Sequence, residues 1–231
     1  MTKPVVVITG GGQGMGRATA LHFAKHQWDC VLIGRTGSKL LAVKAEVEAL
    51  GGAAQTIVRD LMEVATIASL ANEIERVDCL VNGAGESLIK TIGNTTLDDW
   101  EKILNTNLRA PFFVTQALLP HLLKSDNPSV LNIGSMTTFG GYADVVAYTA
   151  SKTGLLGLTR SMAGELRPQG VRVAMLAPGP ADTPMRWAAT PDYDRKLLIE
   201  ANTIAETIYW MANLPRHVTT SEFLLKSNWI E

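Results

Sequence analysis

Cysteine is nearly absent from this sequence. Only Cys30 and Cys79 occur, neither in a CxxC pair nor beside histidine at metal-ligating spacing, so no zinc site is indicated. Both sit in or beside apolar runs, the setting of buried thiols in a reducing compartment rather than of a disulfide. An excess of either charge is also missing: 21 Lys and Arg stand against 22 Asp and Glu, a net charge of −1. That balance gives no electrostatic case for nucleic acid or an anionic membrane, while leaving room for a local basic pocket. Long apolar runs are absent as well. The run before the first glycines is too short for a signal-peptide core, and no later segment reaches the ~18 residues of a membrane span. The expectation is a soluble, cytoplasmic protein with no metal and with neither nucleic acid nor membrane as partner. Repeats, low-complexity tracts and Pro/Ser-rich linkers are missing too. With 46% hydrophobic residues, the chain is expected to form one domain over residues 1–231.

What is present is an alternation of short β-branched runs with longer helical patterns. Strands are expected at Val5–Ile8, Cys30–Ile33, Ala53–Val58, Asp78–Val81, Val130–Ile133, Val171–Leu176 and around Glu222–Lys226. Helices are expected at Gly14–His26, Ser38–Leu50, Glu63–Ile74, Thr96–Lys124, Tyr148–Arg167 and Ala201–Asn213. Ser38 and Thr96 read as N-caps, Gly51-Gly52 as a helix stop and Pro111 as a perturbation inside the long helix. Repeated strand–helix–strand units with unbroken apolar strands such as VVVI imply a parallel sheet buried on both faces. The predicted fold is α/β: a single-domain, doubly wound Rossmann fold with a mostly parallel seven-stranded sheet and helices on both faces.

The first strand runs directly into Thr9-Gly10-Gly11-Gly12-Gln13-Gly14-Met15-Gly16, and a helical pattern follows. Glycines allow a tight turn and close approach to a pyrophosphate, and the helix start presents free N–H groups. An acid usually stands about 20 residues on to bind the adenosine ribose, but here the second strand ends Gly34-Arg35-Thr36. Arg35 can pair with a 2′-phosphate that an acid would repel, which favours NADP(H) over NAD(H). Read alone, Arg35 is either that ligand or a solvated loop charge, and Lys39 either its helper or a surface residue. Val81-Asn82-Gly83-Ala84-Gly85 ends the fourth strand with glycines where a parallel sheet meets its ligand. Tyr148 and Lys152 lie four apart on one helix face, and Ser135 follows a buried strand 13 residues before Tyr148. An ammonium beside the phenol is expected to lower its pKa toward the range useful for acid/base work.

In order and spacing these motifs resemble the short-chain dehydrogenase/reductase family, more narrowly its 3-oxoacyl-ACP-reductase-like members, from Val5 to about Phe223. Thr9, Gly10, Gly14 and Gly16 match TGxxxGxG, Asn82-Gly83-Ala84-Gly85 is a variant of NNAG, and Tyr148-Thr149-Ala150-Ser151-Lys152 matches YxxxK. Asp60 matches the acid after strand three, Asn107 the asparagine of helix four, and Pro178-Gly179 with Thr183 the segment after strand six. The resemblance implies catalysis by Asn107, Ser135, Tyr148 and Lys152. Tyr148 would exchange the proton on the substrate oxygen, and Ser135 would hydrogen-bond that oxygen. Lys152 would lower the Tyr148 pKa and hold the nicotinamide ribose, and Asn107 would position a water that links Lys152 to solvent. It implies cofactor contacts from Gly10, Gly12, Gln13, Gly14, Met15, Gly16, Arg35, Asp60, Leu61, Asn82, Ala84, Tyr148, Lys152, Pro178, Gly179 and Thr183. The implied partners are a small carbonyl or alcohol substrate, NADP(H) with NAD(H) as the alternative, and further copies of the chain in a homodimer or homotetramer.

The chain departs from the family at several points. Gly83 replaces the second asparagine of NNAG, Gln13 stands where NADP users often carry a cation, and Gly12 replaces a common serine. The region after the last strand lacks the usual glycine pair, which makes a tetramer less secure. A short substrate lid is expected near residues 183–201, holding Met185, Trp187 and Tyr193, and Met136, Thr137 and Tyr142 flank the catalytic segment. The leading expectation is reduction of a small or medium carbonyl compound. The alternatives are an NAD(H)-linked alcohol or hydroxy-acid dehydrogenase and a non-enzymatic dinucleotide-sensing regulator. The intact set Asn107, Ser135, Tyr148 and Lys152 argues against the regulator.

Overall fold

Residues 3–228 are described in the computed structural model of this chain; Met1, Thr2 and residues 229–231 of the expected domain lie outside them. The element order is β1 Val5–Thr9, α1 Gly14–Lys25, β2 Asp29–Gly34, α2 Gly37–Ala49, β3 Ala54–Val58, α3 Val64–Ile67, α4 Leu70–Glu73 and β4 Cys79–Asn82. Then come α5 Leu97–Leu104, α6 Ala110–Leu122, β5 Ser129–Ile133, α7 Val146–Leu166, β6 Arg172–Pro178, β7 Ala181–Asp182, α8 Pro184–Ala189, β8 Ile199–Glu200, α9 Ala201–Ala212 and β9 Glu222–Leu225. Seven strands form one sheet in the order β3-β2-β1-β4-β5-β6-β9, every pairing parallel. The order reverses between β1 and β4, so a crevice opens at the C-terminal ends of those two strands. Strands such as β5, buried at every residue, require cover on both faces, and helices supply it.

One apolar cluster gathers Phe23, Leu32, Leu40 and Ile208 on one side of the sheet, and another gathers Leu70, Leu80, Val114 and Leu118 on the opposite side. The two cysteines are free and buried, and burial pushes both thiols up to about 12. No helix among the described residues is long and apolar enough to cross a membrane.

Local differences from the sequence reading have local causes. The turn after β2 occupies only Arg35 and Thr36, so α2 starts at Gly37 and Ser38 lies inside it rather than capping it. The stretch Glu63–Ile74 splits into two single turns, α3 and α4. Between them the Ser69 hydroxyl donates to the Thr66 carbonyl at 2.9 Å, a bond that competes with a continuous helix. Thr96 does cap α5, its hydroxyl accepting from the Asp99 N–H at 3.1 Å while the Asp99 carboxylate accepts from the Thr96 N–H at 3.0 Å. The long helix is interrupted by a wider π turn at Asn105–Arg109, between α5 and α6. Pro111 has no N–H to give the carbonyls one turn back, which accounts for the interruption there.

Candidate active site

The sheet's central strands end in polar residues that meet below the crevice. Asn82 on β4 donates to Asn132 Oδ1 on β5 at 2.8 Å, and Asn132 donates to Thr159 Oγ1 on α7 at 2.9 Å. Asn82 also donates to Thr115 on α6 at 3.2 Å. This buried chain fixes α6 and α7 against the strands, and through α7 the side chains of Tyr148 and Lys152. The turn after β4 is tied to β1 by one hydroxyl: Thr9 Oγ1 accepts from the N–H groups of Gly83 and Ala84, both at 3.1 Å. A side chain at Gly83 would begin 2.9 Å from the Thr9 carbonyl oxygen, so glycine in place of the family's asparagine suits the close approach.

Lys152, Tyr148, Ser135 and Asn107 converge at the ends of β4 and β5. Lys152 is buried, and its Nζ donates to the Ile133 carbonyl at 2.8 Å and lies 5.8 Å from the centre of the Tyr148 ring. Ser135 begins a 3-10 turn, Met136–Phe139, and its Oγ accepts from the Thr137 N–H at 3.3 Å. Asn107 is fully buried within the π turn. Its side-chain oxygen accepts from the Glu86 N–H at 2.8 Å, and its amide donates to the Glu86 carbonyl at 2.9 Å and to Ser151 Oγ at 3.0 Å. Ser151 in turn donates to the Tyr148 carbonyl at 2.7 Å. Asn107 thereby links the turn after β4 to α7.

The electrostatics differ from the sequence expectation. Burial raises the Tyr148 pKa above its usual 10; the hydrogen bond from Ser135 and the positive charge of Arg186 pull it down without overcoming burial. Lys152 has its own pKa lowered by burial from 10.5 to about 8, and its ammonium is turned toward the Ile133 carbonyl.

Two adjoining clefts meet here, sharing Met15, Thr183 and Met185. The first, about 250 Å³, is walled by the glycine loop from Gly10 to Gly16, by Arg35 and Lys39, by Asp60 and Leu61, and by Ala84. At Gly16 a side chain would begin 2.2 Å from the Gly10 carbonyl oxygen, so only glycine allows α1 to rise so close to β1. Gln13 at the N-cap makes no capping bond and the first turn of α1 holds no acid, which leaves its N–H groups available to an anion. Gln13 instead accepts from Lys39 Nζ at 2.5 Å. Asp60 lines the cleft while accepting from the Met62 N–H at 3.0 Å. Arg35 is not free: its guanidinium forms an ion pair with Glu86, whose other oxygen lies 3.8 Å from Lys102 Nζ. Asn82 is buried below this cleft and does not line it.

The second cleft, about 310 Å³, is lined by Ser135, Tyr148, Pro178 and Gly179, together with Tyr142, Tyr193 and Arg186. The segment expected as a lid, residues 183–201, is short and structured. Thr183 caps α8, its Oγ1 accepting from the Arg186 N–H at 3.4 Å, and β7 pairs with β8 beneath it. Trp187 packs rather than lining the cleft: its indole N–H donates to Asp182 at 2.7 Å and Arg195 lies 4.4 Å over the ring. Glu86 and Arg186 escaped the sequence reading, since neither belongs to a spaced motif and only the folded chain places them beside the clefts.

A doubly wound α/β domain with a serine–tyrosine–lysine–asparagine cluster at its switch-point crevice defines a narrow class, and comparison with known proteins agrees. A family model described as short chain dehydrogenase matches residues 4–194, and the chain belongs to that family of oxidoreductases. It is similar to the sepiapterin reductase of Chlorobaculum tepidum, 32% identical with 97% of this chain and 96% of that protein covered. It is 28% identical to an uncharacterized oxidoreductase of Staphylococcus epidermidis, with 97% of each covered. Among solved structures, a metagenomic short-chain oxidoreductase in complex with NADP is 32% identical, with TM-score 0.86 and 98% of each chain covered.

Proposed function

We propose that this protein is an NADP(H)-dependent oxidoreductase that reduces a carbonyl compound to the alcohol, or runs the reverse reaction, with Tyr148 as general acid/base. The observation that carries this reading is that Ser135 and Tyr148 line the second cleft, which adjoins the first, with Lys152 buried behind them 5.8 Å from the centre of the Tyr148 ring. The first cleft suits a dinucleotide. The glycine loop would take the pyrophosphate, Asp60 and Leu61 would flank the adenine, and Arg35 with Lys39 would face a 2′-phosphate. When bound, the nicotinamide supplies or accepts the hydride. Tyr148 holds the proton that goes to the substrate oxygen, and its raised pKa keeps it protonated and ready to donate at neutral pH. Ser135 hydrogen-bonds the same oxygen and stabilises charge as it develops. Lys152 is kept beside the ring by the Ile133 carbonyl, and Asn107 by its bonds to Glu86 and Ser151.

NADP(H) binding is supported by the cations Arg35, Lys39 and Arg59 along the β2 side of the first cleft and by the NADP-bound relative. The ion pair that already engages Arg35 with Glu86 favours the second reading, use of NAD(H). Two measurements decide. Tyr148→Phe should bind NADPH as the parent does and lose about 10²–10⁴-fold in carbonyl turnover; full turnover would refute the acid/base role. Arg35→Asp should erase a preference for NADPH over NADH in binding titrations, and an unchanged preference would refute the phosphate assignment.

A further inference from the structure

The second cleft is lined by apolar, hydroxyl and backbone groups, and Arg186 is its single charged side chain. The guanidinium is steadied from two sides. Its Nη1 donates to Thr190 Oγ1 at 3.3 Å, and the group lies over the Tyr193 ring, 4.9 Å from the centre. Among the described residues no carboxylate stands within ion-pair distance of it. Arg186 is half-buried, and its positive charge is felt at the Tyr148 phenol across the same space. A cation held in an apolar wall without a counter-ion is completed by an anion on the ligand.

We propose that Arg186 is the carboxylate-binding residue of the substrate cleft, so that the compound reduced at Tyr148 is a small oxo acid and its alcohol a hydroxy acid. The planar guanidinium matches a carboxylate through two parallel bonds. One cation carries one charge, which fits a carboxylate better than a dianionic phosphate ester. Tyr193 beneath the guanidinium limits its freedom, and the modest size of the cleft, about 310 Å³, suits a short chain. The substrate would thus be gripped at two ends, the carbonyl by Ser135 and Tyr148 and the carboxylate by the lid. This inference rests on the carbonyl-reductase reading above, and the experiment separates the two.

Reduction of short oxo acids is compared with that of their methyl esters in the parent, Arg186→Ala and Arg186→Lys, following NADPH absorbance. The parent should favour the acids, and Arg186→Ala should cut the acid-over-ester ratio of kcat/KM by about ten- to hundredfold, with partial return in Arg186→Lys. In parallel, butanoate, an unreactive short carboxylate, is titrated by calorimetry into the NADP-loaded protein; it should bind the parent and not Arg186→Ala. A parent that prefers esters, or a ratio unmoved by Arg186→Ala, overturns the proposal while leaving the reductase reading intact. Butanoate binding that depends on Arg186 without turnover of any carbonyl upholds the anion site and overturns the reductase reading. Binding of methyl phosphate in preference to butanoate overturns the carboxylate assignment.

Discussion

Replacing Lys152 with Met should remove a rise in stability that the parent shows between pH 7 and pH 10. Lys152 is 5% exposed, and burial lowers its pKa from 10.5 to about 8. The unfolded chain keeps the ordinary value, so across that window the unfolded state binds more protons and stability climbs with pH. Below about pH 8 both states are charged and the full burial cost is present; above about pH 10.5 both are neutral and the cost is gone. A gap of two to three pKa units corresponds to about 3 kcal/mol. Met preserves most of the apolar stem and carries no titrating group. It also leaves the Ile133 carbonyl without its donor, a cost of about 1–3 kcal/mol that does not vary with pH. Cys30 and Cys79, pushed up to about 12, destabilise both proteins equally above pH 9 and cancel in the difference. The quantity to measure is therefore parent minus Lys152→Met, from urea unfolding of the ligand-free proteins followed by circular dichroism at pH 7, 8, 9 and 10. It should increase by about 3 kcal/mol over the series. Parallel curves would show that the ammonium is hydrated in the folded state and would refute this account of the site's electrostatics.

Gly16→Ala should reduce NADPH affinity and lower the melting temperature, because the new methyl would stand 2.2 Å from the Gly10 carbonyl oxygen; strain of this kind costs about 1–3 kcal/mol. Asn132→Ala should destabilise by about 1–3 kcal/mol, since Asn82 and Thr159 each lose one buried hydrogen bond while keeping those to Thr115 and the Leu155 carbonyl, read by urea denaturation. Asp78 should make the fold acid-labile. Burial pushes its carboxyl up, but donors from Arg76, Ser125 and the Val5 N–H outweigh it and the pKa is lowered. Stability from this group is complete above the unfolded value and is lost as pH falls through the folded one, so Asp78→Asn should flatten the acid limb of the stability curve.

The order of elements was legible because strands buried on both faces must be unbroken and apolar, as VVVI and VLNI are. The candidate catalytic segment was legible because helix geometry turns a four-residue spacing into a shared face, as for Tyr148 and Lys152. Helix interruptions were less so: the π turn depends on Pro111 together with the packing of Asn107, and the split of α3 from α4 on a single Ser69 hydroxyl. Trp187 and Tyr193 read alike in the chain, yet one packs the lid and the other faces the cleft.

By itself the sequence determined the parallel sheet, the glycine loop and the presence of a serine–tyrosine–lysine–asparagine set, since these follow from local period, residue size and spacing. Tertiary structure alone decided that burial raises the Tyr148 pKa, that Arg35 is engaged by Glu86, and that Arg186 lines the second cleft beside Tyr148. Each of these depends on which distant groups share a dielectric environment, and only the folded chain brings residue 35 to residue 86 or residue 186 to Tyr148.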